Sequence, residues 1–557
     1  MEPTAAPQIF FAALPSVMRR FIDRMRERPR ARTMRTIRAW PGGVAGSAIR
    51  GGLTLMIAGL ALNGRANVKL APLFRDHAVL QREQPVPIWG KAEPGEEIVV
   101  SFAGQQVRAT AGPDRRWDVM LGPLAMSGES ADLVVTGRNT VTLHDVIVGD
   151  VWLCSGQSNM GFTLARVMNA KEELAAANFP RVREIAIRNT VAQLPAADVV
   201  TTGWRPATPD NARGFSAVGY FFAREIHQKI GVPVGIINSS FGGTRIEAWM
   251  SAAAFARDSA LARTIERWRA DNIVPVEKRK AEYELALAAW QTGEAAAKAA
   301  GEERHRAFLK EHQRPSAPMG PQQGPSVLFN GMINPLAPYA LRGVLWYQGE
   351  SNAWAPVGDL HPAMDYRRQF PALIETWRAH FGRPDLPFYW VQLAGYETAH
   401  DWPTLRESQT LVLALPHTGQ ALAIDVGDAS DIHPRNKQEV GHRLALIARA
   451  KTYGEAIEFS GPVLRSARRD GRTWRLRFDH AADGLVARGG RVTALEVAGA
   501  DRMFHPATGQ IEGDALTVSG DTVNEPVAVR YAWRSYPQAN LYNAAGLPAV
   551  PFRTDDW

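Results

Sequence analysis

The chain of 557 residues contains a single cysteine, Cys154. One thiol excludes an intrachain disulfide framework and a cysteine-based zinc site. Long apolar runs are also missing. The uncharged stretch Gly51–Leu62 (GGLTLMIAGLAL) falls well short of the ~20 residues a membrane helix needs. The third deficit is charge. The formal net charge is +8, yet eleven of the 64 basic residues and three of the 56 acids lie in residues 1–66, which leaves 53 of each in residues 67–557. A nucleic-acid groove needs clustered excess Lys and Arg. The body of this chain has no such excess, so its basic balance does not point to a polyanion partner.

What is present is core-forming material. Hydrophobic residues make up 45% and charged residues 22%, which fits several folded domains and argues against disorder. Sixteen tryptophans suit β-rich cores, and a few would suit sugar stacking. The excess positive charge belongs to the start of the chain. Arg35, Arg38 and Arg50 precede Gly51–Leu62, and Gly64 and Ala66 follow as small residues at −3 and −1 of a cut. A charged segment, a short apolar segment and a small-residue site together read as a secretory signal, so residues 1–66 are expected to be a leader and the mature protein periplasmic or secreted. Met34 would give a leader of conventional length, with residues 1–33 an upstream extension.

From Val68 to Val148 the sequence is strand-like, with Glu97–Phe102, Gln106–Thr110 and Trp117–Leu121 as clear strands, and 67–148 is expected to be a β-sandwich segment. Between 149 and 453 short apolar runs (151–153, 233–237, 343–347, 388–393, 420–425) alternate with helical stretches (217–230, 364–381, 404–415, 437–450). This predicts an α/β domain in three layers with a mainly parallel sheet. Residues 251–327 form an insertion: a helical pair over 251–313, broken near 272–275, and then a Pro/Gly loop from Arg314 to Val327. After Gly454 the β texture returns through 454–557. The two flanking β segments are expected to pack as one composite module.

The chemistry concentrates in motifs that follow buried strands. Cys154–Met160 (CSGQSNM) places Ser158 at the carboxyl edge of a parallel strand, where α/β sheets bind ligands. It lacks the second glycine of the G-x-S-x-G elbow. A serine hydroxyl needs a base within hydrogen-bond reach. His433, in Asp425–Pro434 (DVGDASDIHP), supplies one. Asp431, two residues earlier, shares its face in extended chain and ranks first as the acid orienting Nδ1, with Asp428 or a main-chain carbonyl as alternatives. Donors for an oxyanion come from Ser240–Thr244 (SFGGT), where Gly243 can present its N–H, and from Tyr347–Asn352 (YQGESN), where Gln348 or Asn352 offers an amide.

These stretches carry a resemblance. Phe74–Gln81, Gly149–Met160, Phe241–Thr244, Trp346–Asn352, Ile432–Pro434 and the tail from Asn540 to Thr554 are similar to the sialate O-acetylesterase family of SGNH-type carbohydrate esterases, over about residues 70–557. The resemblance implies a flavodoxin-like α/β/α hydrolase core with flanking β-sandwich (jelly-roll or Ig-like) parts, and deacetylation of sugars without metal or cofactor. Carried over, Ser158 is the nucleophile, His433 the base, and the Ser158 and Gly243 N–H groups with the Gln348 amide the oxyanion hole. General SGNH enzymes have Asn where Gln348 stands and an acid where Ser430 stands, so Asp431 is an imperfect third member. Arg245, Glu350, Asn352 and Trp354 are expected at the substrate, with Tyr396 and Trp402 as further sugar platforms. The expected substrate is an acetylated oligosaccharide or polysaccharide, with plant xyloglucan or xylan ahead of sialic acid. A lipid esterase or thioesterase and a non-catalytic carbohydrate-binding protein are the competing readings.

Overall fold

The computed structural model describes residues 67–557 apart from 272–275, 313–314, 316–319 and 355–360. The expected leader, the helix break at 272–275 and part of the Pro/Gly loop therefore lie outside the described residues. The chain is a mixed α/β protein. Its core sheet contains β1 (Thr140–Gly156), β2 (Phe179–Ala186), β3 (Arg205–Ala207), β4 (Val234–Ser240), β5 (Gly343–Tyr347), β6 (Phe388–Val391) and β7 (Thr418–Ala421). The spatial order is β3-β2-β4-β1-β5-β6-β7, all parallel except the β2–β3 pair. Chain order reverses direction about β1, with β4 on one side and β5 on the other, so the crevice beside β1 is the topological switch point.

Helices cover both faces of this sheet, which is why its strands read as continuous apolar runs. Core helices are α1 (Ala217–Ile230), α2 (Pro362–His380), α3 (Trp402–Leu411) and α4 (Lys437–Lys451). On one face Trp152 of β1 meets Phe222 of α1 at 5.0 Å between ring centroids, and α4 packs beside α1. On the other, Trp346 of β5 lies 5.7 Å from Trp377 of α2. Capping sets the helix starts: Ser216 Oγ accepts from Gly219 N at 3.1 Å, and Asn436 Oδ1 from Glu439 N at 3.2 Å.

The amino-terminal β segment is continuous with the core. β1 begins outside the α/β layer, pairing antiparallel with Ser127–Thr136 and parallel with Val79–Gln81, then runs on into the parallel sheet. A division between 148 and 149 thus falls inside one strand, and residues from Val68 to Ala448 share a single apolar cluster. The carboxyl-terminal strands, from Val463 to Arg553, form three small sheets around a separate cluster that includes Leu476, Val497, Leu516 and Tyr531. The expected composite module is therefore corrected: among the described residues no strand of one flank pairs with the other, and their buried side chains belong to different cores. Among its described residues the insertion holds four α-helices (Ala252–Ala256, Ser259–Asp271, Val276–Ala299 and Glu302–Glu311) instead of a pair. No helix among the described residues is long and apolar enough to cross a membrane.

Candidate active site

Parallel register sets Gly156 beside Ser240 on one side and Tyr347 on the other, so the segments after β1, β4 and β5 leave the sheet together. Gly156 adopts φ 132°, and a Cβ there would sit 2.2 Å from the Tyr347 carbonyl oxygen. Only glycine lets the chain turn off the strand at this point. The turn closes where Gln157 O accepts from Met160 N at 3.0 Å and Gly161 N at 3.1 Å, leaving half-buried Ser158 at its tip.

His433 arrives from the loop between β7 and α4, and its Nε2 lies 2.8 Å from Ser158 Oγ. For the hydroxyl to donate to Nε2, the ring proton must be on Nδ1. The imidazole stacks on Phe162, with centroids 6.3 Å apart and planes at 23°. Burial holds its pKa below the ordinary value; the Asp431 charge opposes this, while Lys437 and Arg166 add to it. A neutral imidazole near pH 7 is the form a general base requires.

Of the possible orienting groups, Asp431 is the one brought to the imidazole, and only loosely. Its Oδ1 accepts from the His433 main-chain N–H at 2.8 Å and stands 3.5 Å from Nδ1, on a side chain 51% exposed. That separation is an ion-pair distance, longer than a good hydrogen bond. Asp428 does not reach His433. Its Oδ1 accepts from Ser430 N, Ser430 Oγ and Asp431 N, closing the turn before the histidine.

Beside the serine, the N–H groups of Ser158 and Gly243 have no acceptor among the described residues. Gly243 has φ 68°, and a Cβ on neighbouring Gly242 would come within 3.3 Å of Ser158 Cβ. The insertion's return segment grips this turn: Gln323 Nε2 donates to Gly243 O and its Oε1 accepts from Arg245 N at 3.0 Å. The amide expected as a third oxyanion donor is not free to serve an oxyanion. Gln348 is fully buried, its Nε2 donating to Thr244 O at 3.1 Å and Asn352 Oδ1 at 2.7 Å, so both amide hydrogens are used. Gln348 supports the Gly-Gly-Thr turn from below.

Two residues expected at the substrate are likewise buried and engaged. Asn352 is fully buried, accepting from Ile246 N at 2.9 Å and donating to Glu247 Oε2 at 2.9 Å. Glu350 is buried, and its Oε1 accepts from Asn159 Nδ2 at 2.5 Å. Asn159 Nδ2 also reaches the Ile432 carbonyl at 3.0 Å, and Asn159 Oδ1 accepts from Lys437 Nζ at 2.5 Å. Burial pushes the Glu350 carboxyl up although Asn159 and Lys437 pull the other way. Burial brings Lys437 down to about 7, against the Glu350 and Asp431 charges. Asn159 and Lys437 were not evident as site residues from the sequence. The available signal was position: Asn159 follows the nucleophile, and Lys437 lies four residues after His433.

Known proteins converge on the same reading. The model of the family described as carbohydrate esterase, sialic acid-specific acetylesterase matches residues 148–308 and 323–449. The sialate O-acetylesterase of Rattus norvegicus is 32% identical, the match spanning 90% of this chain and 96% of that protein. That of Homo sapiens is 31% identical, over 87% and 92%. The crystal structure of a carbohydrate acetylesterase from Xanthomonas citri superposes with a TM-score of 0.74 at 41% identity, covering 88% of this chain and all of that one. The chain belongs to the sialic acid-specific acetylesterase family of carbohydrate esterases. It is a carboxylic ester hydrolase.

In this carbohydrate esterase the expected sugar contacts divide in two. Arg245 and Trp354 are half-exposed neighbours, the guanidinium carbon 5.9 Å from the indole centroid, and His400 lies against the same ring at 4.6 Å. Tyr396 is half-buried against Trp402. Trp402 itself is corrected to core: it is 1% exposed, with Nε1 donating to the Ala394 carbonyl at 2.9 Å.

Proposed function

We propose that the protein removes O-acetyl groups from carbohydrates by two-step acyl transfer. The observation that carries this is the 2.8 Å contact between Ser158 Oγ and His433 Nε2 beside two unengaged main-chain N–H groups. His433 takes the hydroxyl proton as Ser158 attacks the acetyl carbonyl, and the tetrahedral oxyanion rests on the Ser158 and Gly243 N–H groups. The sugar alcohol leaves with a proton from the imidazolium. Water, deprotonated by His433, then hydrolyses the acetyl-serine. Ser158→Ala is expected to lower kcat on 4-nitrophenyl acetate by about 10⁴-fold or more. Turnover at the native rate would overturn the assignment.

The substrate proposed first is an acetylated plant polysaccharide of xyloglucan or xylan type, supported by the charge balance of residues 67–557. One observation favours a sialate: Arg245, next to the oxyanion turn, has no ion pair among the described residues and could take a sugar carboxylate. Acetate release from acetylated xyloglucan, xylan and O-acetyl sialosides, with and without Arg245→Met, separates these. Selective loss on sialosides supports the carboxylate contact, and equal loss on all substrates counts against it.

The core is proposed to be an SGNH-type, flavodoxin-like hydrolase over residues 149–453, flanked by β-sandwich parts; the parallel sheet with helices on both faces supports this. Export to the periplasm or medium is proposed from the leader pattern. Intact Arg35 in the mature protein from its native host would rule that out.

A further inference from the structure

The catalytic pair has an exposed, poorly aimed acid in front and a buried network behind. Asp431 is engaged mainly by the His433 main-chain N–H and reaches Nδ1 only at 3.5 Å. Asn159, next in sequence to the nucleophile, donates through one amide nitrogen to Glu350 and to the carbonyl of Ile432, which precedes the base. Its amide oxygen is held by Lys437 from the first turn of α4. Lys437 is fully buried, with Nζ 5.0 Å from the Phe162 ring centroid and 5.2 Å from that of Tyr347. Phe162 is the ring on which His433 stacks. One cation thus touches the residue after the nucleophile and the aromatic floor of the base.

We infer that Lys437 and Asn159 form a positioning relay that fixes the Ser158–His433 pair from behind, the role an orienting carboxylate fills in a triad. This rests on the proposed acyl-transfer function. Three charged groups act on the imidazole: Asp431 from its own loop, Lys437 from α4 and Arg166 from the segment after the nucleophile. Lys437 is in turn faced by Glu350, Asp431 and Arg166. Its positive charge opposes protonation of His433. Burial, with Lys437 and Arg166, holds the histidine below its ordinary value.

The test uses the full chain and 4-nitrophenyl acetate across pH. Lys437→Met is expected to lower kcat on the order of 10- to 100-fold with KM little changed, since misplacing the pair costs rate and not binding. It should also move the acidic limb of kcat/KM upward by about 0.5 pH unit, because a cation near the base is gone. Asn159→Ala, with the cation retained, should lose kcat comparably without that upward shift, and it stands in if Lys437→Met does not fold. A Lys437→Met enzyme with native kcat overturns the relay, as does a uniform loss with the limb unmoved, which is what a merely structural lysine would give. An inactive wild type overturns the acyl-transfer function and the relay with it; an active wild type beside an unaffected Lys437→Met overturns the relay alone.

Discussion

The two ends of the core stretch of β1 bury charge in opposite ways. At the amino end Asp150 is fully buried and accepts five hydrogen bonds from four side chains: Gln81, Arg82 through two nitrogens, Arg342 and Tyr453, at 2.8 to 3.2 Å. Burial alone would raise this carboxyl, but the Arg342 and Arg82 guanidinium groups win and hold it below its ordinary value. At the carboxyl end Glu350 and Lys437 are buried with a single asparagine between them and no ion pair joining them among the described residues. There burial wins: the acid is pushed up and the base down. The first cluster ties the amino-terminal β segment, β1 and the loop after α4 into one unit. The second leaves two charges under-compensated beside the reacting atoms, as expected where an environment is built for chemistry.

The largest effect falls on the structural end. Asp150→Ala leaves Arg82 and Arg342 with only the exposed carboxylate of Glu83 between them, and should cost about 3–5 kcal/mol of unfolding free energy in urea titration. The sign with pH follows from the depressed carboxyl. Its stabilisation is present above the ordinary value of 3.8 and is lost as pH falls through the lower folded value, so wild type and variant converge in acid. A loss below about 1 kcal/mol at pH 7 would erase the contrast between the two ends.

The next effect is smaller and tests how far the exposed acid matters. Asp431→Asn should lower kcat no more than about tenfold, because the half-exposed carboxylate is screened by water. Removing its charge also lets the His433 pKa fall further, so the acidic limb of kcat/KM moves to lower pH, opposite to Lys437→Met. A loss as deep as that of Ser158→Ala would make Asp431 a full triad member and the relay unnecessary.

The sequence made the two reacting groups legible and the layer behind them illegible, for a physical reason. Ser158 and His433 sit in turns after apolar strands, where a polar residue has little structural work, and the structure brings them to 2.8 Å. Helix α1 matches its expected span, 217–230, because Ser216 and Gly231 mark both ends. Strand β2 was missed because Arg181, Arg183 and Glu184 interrupt its apolar pattern. Arg183 and Glu184 are nonetheless buried, the first on Asp145 and the second on the Ser216 N–H. Gln348, Glu350 and Asn352 misled in the opposite direction. Polar residues after a strand suggest ligand contact, but burial depth is tertiary: Gln348 and Asn352 face each other, Tyr366 and Glu247, and Glu350 faces Asn159.

The smallest effect separates stability from positioning at the catalytic end. The double variant Lys437→Met, Glu350→Gln replaces both buried charges with neutral side chains of similar size. Substitutions of that kind are often close to neutral, so unfolding free energy at pH 7 should stay within about 1 kcal/mol of wild type. Lys437 is held near 7 against an ordinary 10.5, so its destabilising contribution grows as pH falls from alkaline values and is complete below about 7. Glu350 is raised, so its contribution grows as pH rises from acid through its folded value. The variant therefore gains most relative to wild type in the weakly acidic range and loses the Lys437 part of that gain toward pH 10, while the Glu350 part persists. Its activity should remain as low as that of Lys437→Met throughout. A double variant as unstable as Asp150→Ala would mean that both ends of β1 serve the fold alone, whereas a stable but slow one shows charge kept at the carboxyl end for the sake of the serine and histidine.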